Sequence, residues 1–233
     1  MQNYQTTKWS KTYGGARSVF TGSIKGVTSG AYIVDLTTLP DLANGFVPAG
    51  TPVKVDDALR TIAVHYAFKT AAITDYDADD TSFDVQVAKG FEGSRITVGM
   101  KLGVAPTTNA NLIAEVTDVF IVTAVDRDEA AYDVVSVSCT ARTASQIAAG
   151  TILVELAGQV PASGDYFVKV LPNAFLFYDV PKDANATYMG AVDALFCQVD
   201  GVLLERRVPP IAETVRSYMR EKDVYVRYSL SQE

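Results

Sequence analysis

The sequence predicts an all-β fold, an antiparallel sandwich or barrel that contains a duplicated β-hairpin unit and one short C-terminal helix. Three observations predict this fold. A pattern of an apolar residue, two residues, Gly, two residues and an apolar residue occurs at 47–53, 96–102 and 147–153. Several runs alternate between apolar and polar residues, as half-buried strands do. Segment 74–85 also matches segment 123–134.

The glycines of the repeated pattern are Gly50, Gly99 and Gly150. Glycine adopts positive φ angles at no steric cost, whereas Val or Ile in the same place would resist them. Each copy therefore predicts a tight turn that leads the chain into a strand. No copy carries a side chain that could perform chemistry.

Composition places the chain among ordinary globular proteins. Its 233 residues are 48% hydrophobic and 20% charged, enough to bury a core without disulfides. A net charge of −7 and scattered basic residues argue against nucleic-acid binding, which depends on clustered Lys and Arg. No apolar run approaches the ~20 residues of a membrane helix, and residues 1–9 lack the apolar core of a signal peptide. We therefore expect a protein made and kept in a cytoplasm until assembly.

The residue types that usually carry catalysis are scarce. Cys139 and Cys197 lie in strand-like runs, which favours buried small hydrophobes over a disulfide, a metal pair or a nucleophile. The single histidine, His65, lies within the apolar run 62–68, which favours a satisfied sheet residue. No nucleophile elbow, phosphate loop or Cys/His metal cluster occurs. The sequence predicts a non-enzymatic protein with no catalytic residue and no cofactor.

In chain order, residues 1–30 come first and are rich in Thr, Ser, Gly and Tyr. They predict an extended N-terminal arm that is either disordered or ordered against a neighbouring subunit. Residues 31–158 predict a β domain that contains the internal repeat, beginning with the strand-like run 32–36.

The repeat aligns 74–85 with 123–134 at an offset of 49, without a gap. Thr, three Asp and Val are identical between the two segments, and Phe83 aligns with Tyr132. Gly99 and Gly150 follow at an offset of 51. Each unit is therefore predicted to form a strand, an acidic turn, a returning strand and a glycine turn. Two units are too few for a solenoid, so we predict duplicated hairpins within one sheet or barrel.

Residues 159–233 predict a C-terminal β segment with a short helix, packed on the same domain. Strand-like runs occur at 166–171, 174–180, 189–199 and 224–230. In 211–219 the apolar residues fall at i, i+4, i+7 and i+8, on one face of a helix. Pro209 and Pro210 precede this segment and suit a helix start.

Asp75, Asp77 and Asp79 have the spacing that opens a calcium-binding EF-hand loop. The pattern then fails, because Asp80 replaces the turn glycine and Gln86 replaces the bidentate glutamate. We interpret the segment as a solvated hairpin turn that deters edge pairing, with weak calcium binding as the alternative. These aspartates are only weak metal-site candidates, and no metal is predicted.

The predicted arm carries four aromatic residues, Tyr4, Trp9, Tyr13 and Phe20, along flexible Gly, Ser and Thr sequence. A segment of this kind gains order chiefly by docking on a partner, and aromatic side chains then supply most of the contact energy. We predict that these residues bind a larger protein surface and that the chain is a homo-oligomer. The tyrosines and Trp9 also suit a sugar-binding surface.

Residues 45–53, Gly-Phe-Val-Pro-Ala-Gly-Thr-Pro-Val, resemble the strand-entry turns of tailed-bacteriophage head decoration and head-fibre proteins. Residues 148–153 echo them. The stretch 206–210, followed by a short helix and strand, is similar to head-fibre proteins of phages from gut bacteria.

The resemblance implies a non-enzymatic virion protein, made in the cytoplasm of a host bacterium, that binds the major capsid protein on the outside of a capsid, commonly as a trimer. This chain, with its duplicated unit, is larger than the minimal decoration domain. The alternative is a carbohydrate-binding or adhesin-like β module with cell-surface glycans as its partners.

Overall fold

The computed structural model describes most of the chain between residues 20 and 229. The described residues are 20–23, 27–35, 46–75, 80–89, 95–108, 116, 119–141, 146–157, 166–176, 179–181, 188–195, 200–204, 208–222, 224 and 227–229.

The prediction of an all-β fold with one short C-terminal helix is confirmed. The strands of the described residues are β1 Phe20–Ser23, β2 Val27–Asp35, β3 Phe46–Val47, β4 Pro52–Asp56, β5 Thr61–Val64, β6 Ala67–Lys69, β7 Thr74–Asp75, β8 Ser82–Ala88, β9 Lys101–Val104, β10 Val119–Asp126, β11 Tyr132–Ala141, β12 Gln146–Ile147, β13 Ile152–Glu155, β14 Ala174–Leu176, β15 Val180–Pro181, β16 Tyr188–Leu195, β17 Asp200–Leu204 and β18 Arg227–Ser229. The helix α1 spans Glu213–Glu221, two residues further along than the predicted 211–219.

A closed five-stranded barrel joins the two ends of the chain. Its strand order is β14-β16-β2-β5-β4, so two adjacent C-terminal strands close the barrel against three adjacent N-terminal strands. Strand β2 pairs antiparallel with β16 and parallel with β5. In β5 the side chains alternate between exposed and buried, which is the period-two pattern of a half-buried strand.

The middle of the chain forms a six-stranded sheet that curls back on itself. Its order is β6-β13-β9-β10-β11-β8. The two edge strands meet through a bridge between Thr70 and Val87 and through a 2.8 Å hydrogen bond from the Ala71 N–H to the Gln86 carbonyl. Barrel-like closure of this kind removes exposed edges, which would otherwise pair with other chains.

The internal duplication is present at the level of strands. Strands β6, β8 and β9 correspond to β10, β11 and β13, because the pairings of one set are repeated in the other. Val85 pairs with Val135, while the flanking pairs Val87 with Asp133 and Phe83 with Val137 mirror each other. A local two-fold axis therefore passes through the Val85–Val135 pair.

The register of the duplication corrects the sequence alignment. Equivalent residues of β8 and β11 lie 50 apart, not 49, so Val85 corresponds to Val135. A slip of one residue moves a side chain to the opposite face of a sheet. Val85 and Val135 are both buried, whereas Val134, the partner in the alignment, is half-buried.

The predicted pair of superimposable hairpins also needs correction. Residues 123–134 lie in the hairpin of β10 and β11, as predicted. In the first copy, however, β7 pairs with β12 and not with β8. In the first copy, the strand that meets β8 is β6, which contacts it at its end through the bridge between Thr70 and Val87.

The three predicted glycine turns are confirmed and share one geometry. We call them the Gly50 turn (48–51), the Gly99 turn (97–100) and the Gly150 turn (148–151). Their glycines have φ angles of 77°, 88° and 82°, the positive values that a type II turn requires at its third residue. The N–H of the fourth residue donates to the carbonyl of the first at 3.3, 3.1 and 3.2 Å.

Each glycine turn is tied to a neighbouring strand by two reciprocal backbone hydrogen bonds. The glycine N–H donates to the carbonyl of one strand residue, and that residue donates its own N–H to the carbonyl that follows the glycine. The strand residues are Leu176 for the Gly50 turn, Val122 for the Gly99 turn and Thr70 for the Gly150 turn. The repeated sequence pattern therefore encodes a repeated way of starting a strand.

Part of the predicted N-terminal arm belongs to the folded body. Strand β1 pairs antiparallel with β17, which pairs in parallel with β18. Strand β2 begins at Val27 and belongs to the five-stranded barrel. The arm predicted for 1–30 therefore ends earlier than expected, and residues 1–19 lie outside the described residues.

Two clusters of buried apolar side chains hold the fold together. The larger contains residues of both sheets, such as Val53 and Leu176 from the barrel and Val85 and Val135 from the six-stranded sheet. The smaller packs α1 over the place where the two meet. Its members include Ala49 and Phe175 from the barrel side, Val119 and Val154 from the six-stranded sheet, and Val215 and Met219 from α1.

Candidate functional site

The predicted metal candidates are placed only in part. Asp75 lies in β7, where it pairs with Gln146 of β12, and Asp77 and Asp79 lie outside the described residues. Among the residues that the structure describes, no group of three or more His, Cys, Asp or Glu could hold a metal ion.

Of the predicted partner-binding residues, Tyr4, Trp9 and Tyr13 lie outside the described residues. Phe20 is the first residue of β1 and stands opposite Leu203 in the register with β17. It is therefore a strand residue of the folded body, at the point where residues 1–19 join it.

His65 is buried between β5 and β6, with 2% of its surface exposed. Its Nδ1 lies 2.7 Å from the Val170 carbonyl oxygen. A carbonyl oxygen only accepts, so Nδ1 carries the proton and donates in the neutral ring. Burial lowers the pKa of His65 to about 4, and the bond to Val170 opposes this shift. The ring is therefore neutral at pH 7, and Nε2 has no partner among the described residues.

The next residue, Tyr66, is buried beside two buried charged side chains, Arg95 and Glu155. Its ring stacks on Phe68 with centroids 6.5 Å apart, and the Arg95 guanidinium lies 5.2 Å from the ring centroid. Burial raises the pKa of the Tyr66 hydroxyl, the Arg95 charge lowers it and the Glu155 charge raises it. Glu155 accepts a 2.6 Å hydrogen bond from the Lys169 ammonium. The hydroxyl stays protonated, and the neighbouring carboxylate has a charged partner.

A second buried charge lies at the start of β11, opposite the end of β8. Asp133 is fully buried, and its Oδ1 is 3.2 Å from Nζ of Lys89. The contact lacks hydrogen-bond geometry, so the attraction is Coulombic. The same ammonium donates to the carbonyls of Arg127, at 2.6 Å, and Glu129. Lys89 therefore holds the turn between β10 and β11 against β8, which is a structural role.

Sequence patterns missed this buried carboxylate. Asp133 follows a run of exposed acidic residues and precedes an apolar run, so it looks like part of a solvated turn. Its pairing with Val87 in β8 places it inside. The local sequence carried no signal for this, since the partner strand is more than forty residues away.

The exposed large apolar side chains of the described residues are all aliphatic. They are Leu59, 71% exposed, Val98, 64%, Ile73, 59%, and Ile33, 40%. Val98 occupies the second position of the Gly99 turn. The aromatic residues whose burial the structure describes, which exclude Phe20, Phe46, Tyr188 and Tyr228, are buried or half-buried. Ile33 lies within β2, and the other three lie in turns or loops.

The described geometry combines rigid turns, paired buried charges and a histidine that burial keeps neutral. Within the part of the chain that the structure describes, no helix has the length and apolar character needed to cross a membrane. No known protein family, curated protein or solved structure gives a significant match to this chain.

Proposed function

We propose that this chain is a non-enzymatic virion structural protein that decorates or stabilises the capsid surface of a tailed bacteriophage, as a head decoration or head-fibre protein. Two features support a structural role. The only histidine is buried with a pKa of about 4, so it is a poor general acid or base at neutral pH. Glu155 and Asp133 are engaged by the ammonium groups of Lys169 and Lys89.

The observation that carries the proposal is the position of β1. Among the described strands, β1 pairs with β17 alone, so it is an edge strand of the sheet β1-β17-β18. Residues 1–19 lead into this edge from the N-terminal side and carry Tyr4, Trp9 and Tyr13. An edge strand presents unpaired backbone groups to other chains, so a segment next to it is well placed to contact another protein surface. We propose that it binds the major capsid protein through these aromatic residues.

We further propose that the chain works as a homo-oligomer, most simply a trimer. Strands β1 and β18 are both edges of their small sheet among the described strands. Edge strands expose unpaired backbone groups, and a neighbouring subunit can cover them.

The test is co-sedimentation with capsids of the phage that encodes the chain, prepared without it. Full-length protein should co-sediment and should behave as an oligomer in analytical ultracentrifugation. A variant that lacks residues 1–19 keeps β1 intact and should lose capsid binding. A variant with Trp9 and Tyr13 replaced by Ala keeps the chain length and should weaken binding. A strictly monomeric full-length protein that ignores capsids would overturn the proposal.

The alternative, a carbohydrate-binding or adhesin-like module, receives less support. Sugar-binding surfaces present exposed aromatic rings, and each aromatic side chain whose burial the structure describes is buried or half-buried. A glycan array with the full-length protein is the direct check of this alternative. Binding that survives removal of residues 1–19 would favour the module over the virion protein.

A further inference from the structure

The six-stranded sheet is an insertion in the barrel, because residues 67–155 lie between the barrel strands β5 and β14 in the chain. Among the described strands, the chain passes between the two sheets only twice. We call residues 65–66, between β5 and β6, the first crossing, and residues 166–173, which lead into β14, the second crossing. These two segments are the covalent connections that hold the inserted sheet on the barrel.

The first crossing is bonded to one strand of each sheet. The His65 N–H donates a 3.0 Å hydrogen bond to the carbonyl of Pro52, the first residue of the barrel strand β4. The carbonyl of Tyr66 accepts a 3.1 Å hydrogen bond from the N–H of Glu155 in the inserted strand β13.

The second crossing is bonded to the same two strands. The Lys169 N–H donates a 2.9 Å hydrogen bond to the carbonyl of Glu155, and the Asn173 N–H donates a 2.9 Å hydrogen bond to the carbonyl of Val53 in β4. Both crossings therefore connect β4 with β13, and they lie side by side.

The side chain of His65 joins the first crossing to the second. Its Nδ1–H donates a 2.7 Å hydrogen bond to the carbonyl of Val170. The ring is 2% exposed, and Nε2 has no partner among the described residues. A protonated ring would bury a positive charge and an N–H without an acceptor, which is costly. The closed arrangement of the crossings therefore accepts only the neutral ring.

Charged side chains on the surrounding elements do not account for this preference. Burial and the bond to Val170 account for the shift in the pKa of His65. The carboxylate of Glu155 is already paired with the ammonium of Lys169 at 2.6 Å. The titratable and charged side chains of these elements are Lys54 and Asp56 on β4, Tyr66 in the first crossing, Lys69 on β6, Glu155 on β13, Tyr166 and Lys169 in the second crossing, and Arg95 over the Tyr66 ring.

We propose that the two crossings form a joint that opens locally in acid, and that proton uptake by His65 drives the opening. The open joint separates the ring from the Val170 carbonyl and admits water to it, while the barrel and the inserted sheet keep their own hydrogen bonds. Histidine suits this role because its charge in water changes between pH 5 and 8. The proposal goes beyond capsid binding and does not depend on it.

The size of the effect follows from the two environments of the ring. In the open joint His65 meets water and has the ordinary pKa of 6.5, whereas in the closed joint burial lowers its pKa to about 4. The closed joint is therefore fully favoured above pH 6.5 and loses stability as the pH falls towards 4. Between pH 7 and pH 5 the ratio of open to closed joint should rise about 20-fold.

The test is amide hydrogen exchange of the full-length chain at pH 7 and pH 5, followed by NMR and corrected for the intrinsic pH dependence of exchange. The protection of the His65, Lys169 and Asn173 N–H groups should be about 20-fold lower at pH 5. Low concentrations of urea should change this protection little, because a local opening exposes little surface, whereas global unfolding depends steeply on urea. The measurements stop at pH 5 because carboxyl groups ordinarily titrate near pH 4.

Two variants separate His65 from its neighbours. His65→Gln keeps a side-chain N–H for the Val170 carbonyl but cannot ionise, so its protection should be the same at both pH values. Lys54→Gln removes an exposed charge from β4 and should keep the pH dependence of the native chain. If His65→Gln fails to fold, NMR titration of the His65 ring in the native chain replaces it. The ring should then titrate well below pH 6, and a titration near pH 6.5 would contradict the proposal.

Three results would overturn the inference. The first is equal protection of the three N–H groups at pH 7 and pH 5 in the native chain. The second is a His65→Gln variant that keeps the full pH dependence. The third is protection that falls with urea as steeply as that of the most protected amides, because the opening is then global unfolding. No capsid takes part, so a failure here is distinct from a failure of the proposed function.

Discussion

Replacing each turn glycine by alanine separates the cost of backbone strain from the cost of a steric clash. The φ angles of Gly50, Gly99 and Gly150 are 77°, 88° and 82°, all in the range that favours glycine. An alanine held there costs about 1–2 kcal/mol through contact of its Cβ with the following carbonyl. This term is common to the three variants.

The clash term differs among the three turns. At Gly99 a Cβ meets nothing within 4 Å, and at Gly150 the nearest atom is Cε of Lys69 at 3.6 Å, an ordinary contact. At Gly50 the Cβ would lie 2.3 Å from Cγ1 of Val208, so the covering segment must move. Overpacking of this kind costs about 1–3 kcal/mol. We therefore expect Gly50→Ala to lose about 2–5 kcal/mol of unfolding free energy, and the other two variants about 1–2 kcal/mol.

Urea unfolding followed by circular dichroism measures the three losses. For a chain of this size each 1 kcal/mol corresponds to a fall in Tm of about 2–4 °C, so thermal unfolding gives a second measure. Val208→Ala in the Gly50→Ala background removes the clashing methyl groups and should recover part of the loss. If Gly50→Ala costs no more than Gly99→Ala, or if Val208→Ala brings no recovery, Val208 does not cover the Gly50 turn.

Three further predictions follow from the buried charges, the histidine and the acidic turn. The folded-state pKa of His65 is about 4, below the ordinary 6.5, so its contribution to stability is complete above pH 6.5 and is lost as the pH falls towards 4. The loss reaches about 3 kcal/mol, and His65→Gln should show a flatter pH dependence of urea unfolding than the native chain over this window. Asp133→Asn should cost about 1–3 kcal/mol because it leaves the Lys89 ammonium without its anion, whereas Asp128→Asn, at an exposed turn position, should stay within about 0.5 kcal/mol in the same assay. Calorimetric titration with calcium should show no binding tighter than about millimolar, and a micromolar site would restore Asp75, Asp77 and Asp79 as metal ligands.

Local physical chemistry explains what the sequence predicted correctly. The preference for positive φ belongs to single residues. The turns at Gly50, Gly99 and Gly150 can therefore be predicted without information about the fold. The helix was found within two residues of its bounds because its apolar spacing and the prolines before it are also local. Period-two alternation likewise marked β8 and β11 as strands. These features specify an all-β chain with a repeated way of entering strands.

The environment of the candidate sites was harder to predict from the sequence, for a physical reason. Whether a turn is covered depends on which distant segment folds over it, and the segment that covers Gly50 begins more than 150 residues later in the chain. The burial of Asp133 likewise follows from its pairing with β8. Sequence alone predicted the turns, and only tertiary packing distinguished the covered turn from the open ones.

The sequence by itself determined the strand-forming segments, the three type II turns, the duplication and the scarcity of catalytic side chains. Tertiary structure decided which strands pair. It set the duplicated strands 50 residues apart in β8 and β11 where the best sequence match was 49, because only this register buries both Val85 and Val135. It also paired β1 with β17 and β2 with β16, which places residues 20–23 and 27–35 in the body of the fold. Such pairings depend on backbone hydrogen bonds between segments distant in sequence, and no local pattern specifies them.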